Sequence, residues 1–111
     1  MNSIDPNSLL AKFKTKLYVD ILNLDKDELE PDEFLKYVLP LDKAYEFVEW
    51  ALNELDRYNI DTTLPVKYRI ISTFLKFYAP LIENEEQFFQ DIDKRASIID
   101  AKVDSLSLIH I

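Results

Sequence analysis

The sequence predicts an all-α domain, an irregular bundle of about five helices with helix 4 (about 64–79) at its centre. Three observations predict it. Apolar residues recur at helical spacing, Pro and Asn punctuate them at short intervals, and no convincing stretch alternates apolar and polar residues as a half-buried strand does. The 111 residues are 48% hydrophobic, 31% charged and include seven Phe and six Tyr. That is enough apolar material for one core and far from the composition of a disordered chain.

Helix 1 is expected from about Pro6 to Leu22, opened by Asp5-Pro6 and carrying Leu9, Leu10, Phe13, Leu17 and Ile21 on one face. With no Gly in the chain, Asn23 is the natural residue for a left-handed closing position. Asp25 to Glu30 reads as an acidic connector, and Pro31 with Asp32 and Glu33 opens a brief helix 2 bearing Phe34, Leu35 and Val38. Leu39-Pro40 ends it, because the residue before a proline is pushed out of the α region.

Asp42 is the expected cap of helix 3, whose Ala44, Phe47, Val48, Ala51, Leu52, Leu55 and Tyr58 share one face before Asn59 closes it. Helix 4 begins near Thr62, Thr63 and Pro65. Its Val66, Ile70, Ile71, Phe74, Leu75, Phe77 and Tyr78 cover more than half the circumference, which is why it is expected at the centre. Asn84 and Gln87 suggest a capping-box start for helix 5, with Phe88, Phe89, Ile92, Ala96, Ile99 and Val103 in a single stripe.

The ending Leu106 to Ile111 resembles a translated sequencing adaptor, the transposase mosaic end CTG TCT CTT ATA CAC ATC read in frame. The resemblance implies one native helical domain over 1–105, adaptor read-through over 106–111, and a frame drawn from an assembled DNA fragment. His110, the only His, then carries no functional weight.

Composition excludes several chemistries. Without Gly there is no glycine-rich phosphate loop or dinucleotide fingerprint, and without Cys no disulfide, thiolate metal site or Cys nucleophile. Asp25, Asp27 and Glu28 fail as a calcium loop, with Leu29 at the third ligand position and Lys36 in place of the bidentate Glu. Glu46 and Glu49 lack the inward His that bundle metal sites pair with such carboxylates. We therefore expect no metal, no cofactor and no enzymatic activity. The N-terminus shows no signal sequence, and Arg69 and Lys76 interrupt the most apolar stretch, so a cytoplasmic protein without a membrane span is expected.

Charge is unevenly distributed. The net charge is −8. Residues 25–61 hold twelve acids and four bases, whereas 62–82 hold three bases and no acid. No cationic surface large enough to displace counterions from a phosphate backbone is evident, which argues against direct nucleic-acid binding. On helix 3, Asp42, Glu46, Glu49, Asn53 and Asp56 fall within roughly 80 degrees on a helical wheel, opposite the apolar face. Such a carboxylate ridge either keeps the helix solvated or meets a basic surface on a protein partner and steers its approach.

Trp50 lies outside the apolar arc beside Glu46, Glu54 and Arg57. It is either a contact residue of the ridge or packed against helix 1 or 2. The sequence thus predicts a small acidic protein-binding module, of the inhibitor, immunity or adaptor kind. Its expected binding residues are Asp42, Glu46, Glu49, Trp50, Asn53, Glu54 and Asp56. The alternatives are a structural or assembly subunit, of a virus particle or secretion machine, that forms homo-oligomers through apolar helix surface, and the N-terminal part of a longer protein.

Overall fold

The computed structural model describes residues 6–58, 62–79 and 81–96, and over these the chain is all-helical. Four α-helices, the first continued by a π-helical turn, and one 3-10 turn make up the described fold, where about five helices were expected. The predicted closures at Asn59 and Pro80, the stripe positions Ile99 and Val103, and the segment 106–111 lie outside the described residues.

Helix α1 (Pro6–Thr15) runs without interruption into a π-helical turn, Lys16–Ile21, that buries Leu17, Tyr18 and Ile21. The wider turn ends where Leu22 N–H donates to the Leu17 carbonyl at 3.0 Å. Asn23 then takes the left-handed conformation expected of it, φ 59°, and Leu24 N–H reaches back to the Tyr18 carbonyl at 2.8 Å. The carbonyls left over at the helix end are satisfied without a glycine.

Helix 2 is the element that sequence reasoning overstated. Only Pro31–Glu33 form a 3-10 turn, closed by a capping box in which the Glu33 carboxylate accepts from Glu30 N–H at 2.9 Å. Phe34 and Tyr37 pack against the core, while Leu35 and Val38 stand out into solvent. A segment this short gains too few hydrogen bonds to offset helix nucleation. Its exit is also committed elsewhere. Leu39 N–H donates to the Leu81 carbonyl (2.9 Å) and Glu83 N–H to the Leu39 carbonyl (2.8 Å), forming an isolated parallel bridge between Leu39 and Ile82.

Helix α2 (Leu41–Arg57) buries Ala44, Phe47, Val48, Ala51 and Leu55 along one stripe. Helix α3 (Leu64–Tyr78) starts from Thr63 in extended conformation, with Pro65 in the first turn. Helix α4, residues 85–96, buries Phe88, Ile92 and Ala96. Asn84 before it sits in the left-handed region, φ 55°, instead of the extended geometry of the expected side-chain cap.

The helix at 64–79, α3, shares the centre of the bundle with α2. Phe47 of α2 stacks on Phe74 of α3 at 5.4 Å and meets Phe13 of α1 edge-on at 5.6 Å, and Phe13 meets Phe74 at 5.3 Å. On its other side, Tyr45 of α2 lies edge-on to Phe88 of α4 at 5.0 Å and donates to the Asp91 carboxylate at 2.8 Å. Both α2 and α3 touch all three other helices, α3 reaching α4 through Lys76, which lies 5.1 Å from the Phe89 ring and 3.9 Å from the Asp93 carboxylate. The extra apolar residues of α3, Leu64, Val66, Ile70 and Phe77, are exposed, so its wide apolar arc reaches past the core instead of being enclosed by it.

Candidate functional site

The residues singled out by the sequence all lie on α2, so the geometry of that helix decides which of them share a surface. Its N-terminus is built differently from expectation. Pro40, not Asp42, is the capping position, and it offers no side-chain bond. Glu83 supplies one instead, its Oε1 accepting from Leu41 N–H at 3.0 Å across 42 residues of chain. Asp42 sits in the first turn, where a carboxylate interacts favourably with the helix dipole.

Asp42, Glu46, Glu49, Asn53 and Asp56 are all exposed along the outer face. Glu46 pairs with Lys43 at 3.4 Å, and Asp56 is bound by Lys67 of α3. Among the described residues, Asp42 and Glu49 form no ion pair. The upper part of the ridge thus presents carboxylates to solvent, and its lower end is tied into the fold.

Trp50 and Glu54 turn away from that face. Trp50 packs on Phe13 (5.6 Å) and Phe47 (5.7 Å), with the Lys16 ammonium 5.6 Å from its ring. This is the packing against helix 1 that the sequence left open. Glu54 is buried. Its Oε1 accepts from Arg57 at 3.3 Å, and its Oε2 lies 4.0 Å from the Lys12 ammonium. Lys12 in turn covers the Tyr58 ring at 4.9 Å. Trp50 and Glu54 therefore line a depression of about 410 Å³ with Lys12, Lys16, Asp20 and Arg57, against the α1 side of α2. The seven predicted residues divide into five on the outer face and two on this flank.

A second surface was not anticipated. Leu9, Leu10 and Phe13 of α1, with Ile70, Thr73, Phe74, Phe77 and Tyr78 of α3, line an open apolar groove of about 360 Å³. Phe77 is 72% exposed at its edge. The signal was in the sequence, since an apolar arc that wide needs more cover than a four-helix bundle gives one member. Centrality accounts for only part of that arc.

The groove is held in shape by tyrosines. Tyr18 in the π-helical turn donates to the Tyr78 carbonyl at 2.7 Å, tying α1 to the end of α3. Burial pushes the Tyr18 phenol well above its ordinary pKa, with the nearby Glu28 carboxylate acting in the same direction. The Tyr45 phenol is also raised, first by burial and then by its bond to Asp91.

Among the described residues, no group of three or more His, Cys, Asp or Glu side chains is placed to hold a metal ion, and no helix is long and apolar enough to cross a membrane. No family model matches the chain, and neither do any curated protein or solved structure.

Proposed function

We propose that this chain is a small acidic protein-binding domain, without catalytic chemistry of its own, that presents the outer face of α2 to a basic surface on a cytoplasmic partner. The observation that supports this reading most directly is the exposure of Asp42, Glu46, Glu49 and Asn53 along one side of a helix whose opposite side is core. Carboxylates held on a rigid helix need no reordering on binding, and they raise the encounter rate with a cationic surface. Trp50 and Glu54, which belong to the fold, support the helix and are not part of the contact.

The test is a side-by-side affinity capture with the wild-type chain and a Glu46→Lys, Glu49→Lys, Asn53→Lys variant whose helical circular dichroism is unchanged. The reading requires a retained protein with a basic surface that salt releases and the variant loses. If the same proteins are retained by both chains, the ridge is not the site.

A further inference from the structure

The depression between α1 and α2 gathers charge in a way the rest of the molecule does not. The chain as a whole carries a net charge of −8. Here Lys12 of α1, Lys16 of the π-helical turn and Arg57 of α2 surround about 410 Å³ against only two acids, the exposed Asp20 and the buried Glu54.

Two of these groups lack the partners their chemistry calls for. The Glu54 side chain is only 9% exposed. Arg57 donates to its Oε1 at 3.3 Å, but Oε2 is buried with no hydrogen-bond donor among the described residues, the Lys12 ammonium standing 4.0 Å away. A buried carboxylate oxygen in that state forfeits a charge-assisted bond, which a bound molecule with a donor would supply. Lys16 forms no ion pair among the described residues, and its ammonium rests 5.6 Å from the half-buried Trp50 ring. Lys12 and Arg57 share the single Glu54 carboxylate between them. The depression thus combines an acceptor without a donor inside, surplus positive charge at the rim and a flat aromatic surface beside both.

We propose that this depression binds a small organic anion that also carries hydroxyl groups, of the sugar phosphate class. The phosphate meets Lys16, with Lys12 and Arg57 in support. A sugar hydroxyl donates to Glu54 Oε2, and the C–H face of the ring lies on Trp50. Lys12 is the adjustable part. Its side chain is 43% exposed and too far from Oε2 to hydrogen-bond with it, so it can turn toward the phosphate and open that oxygen to the hydroxyl. A simple anion satisfies only the rim, and a neutral sugar only the interior. The depression faces α1, away from the outer ridge of α2, so ligand binding and partner binding stand or fall separately.

Trp50 is the only tryptophan, and its fluorescence reports the site directly. The test is a titration of the full chain with glucose 6-phosphate, inorganic phosphate and glucose at constant ionic strength. Glucose 6-phosphate should change the emission saturably and bind at least about 10-fold more tightly than either of the others, the worth of one charge-assisted hydrogen bond. Lys16→Gln should weaken it about 10-fold with circular dichroism unchanged, since that substitution breaks no ion pair. Glu54→Gln removes the carboxylate, and should lower the preference for glucose 6-phosphate over inorganic phosphate without weakening inorganic phosphate itself. A role for Glu54 in folding alone would leave that preference where it was. No saturable change up to about 10 mM glucose 6-phosphate overturns the proposal. Inorganic phosphate binding as tightly as glucose 6-phosphate, or Lys16→Gln binding like the wild type, overturns it too, whether or not Glu54→Gln folds.

Discussion

Helices α2 and α3 are close in length and lie side by side, yet they use their apolar residues in opposite ways. In α2 the core stripe is matched by its surroundings, and its opposite face is almost wholly polar. In α3 the buried Ile71, Phe74 and Leu75 do the same, but Val66, Ile70 and Phe77 form a second apolar stripe left at the surface. The difference teaches that apolar content alone does not locate the middle of a small bundle. Both helices reach three neighbours, and what separates them is how much of the apolar arc those neighbours cover.

Substitutions can break or sharpen that contrast. The largest effect is expected for Phe47→Ala, about 3–5 kcal/mol lost in chemical denaturation, because Phe47 is fully buried against rings from α1 and α3. Phe74→Ala should fall toward the lower end of that range, since Phe74 also floors the open groove. A clearly larger loss at Phe74 would mean that the open groove does not weaken the packing of that ring.

Next comes Tyr18→Phe, expected to cost about 1–2 kcal/mol by removing the donor to the Tyr78 carbonyl. It should also change the response to alkali. The fold favours the neutral Tyr18 phenol, while the unfolded chain titrates near the ordinary value of 10.0. The stability linked to this group is therefore intact below pH 10 and lost as pH rises from there toward the raised folded value. Denaturant midpoints measured across that window should fall less steeply in Tyr18→Phe than in the wild type, and equal slopes would sink the assignment.

Glu83→Ala should cost about 1 kcal/mol, the usual size of a lost helix cap, and loosen amide-exchange protection in the first turn of α2. Smallest is Phe77→Ser, expected within about 0.5 kcal/mol of wild type despite removing an aromatic ring. A loss comparable to that at Phe74 would mean the second stripe is covered within the monomer.

Much of the helical layout was legible because it depends on local rules: Asn23 in the left-handed closure, Pro65 in a first turn, and the buried stripes of α2 and α4 at helical spacing. The failures share a different cause. Residues 34–38 were read as helix because the pull on Leu39 from Leu81 and Glu83 is invisible to periodicity. Asp42 was assigned a capping role that falls to Glu83, a residue with no local reason to be near. For the candidate site, the wheel placed the five outer residues of α2 on one face. It put Trp50 outside the apolar arc beside Glu54, where only the position of α1 decides whether a side chain meets solvent or protein. The α1/α3 groove depends on two helices distant in sequence, and periodicity in one of them could register only the excess of apolar residues.

The clasp formed by Leu39, Leu81 and Glu83 also orders events during synthesis. The N-terminus of α2 acquires its carboxylate cap, and the Leu39 backbone its partners, only after residue 83 has left the ribosome. Until then α1, α2 and α3 can collapse around the three phenylalanines, but the chain at 39–41 has open donors and acceptors. The emerging 81–83 segment acts as a latch that closes late and from the C-terminal side. A chain halted before residue 81 would lack all three of those bonds.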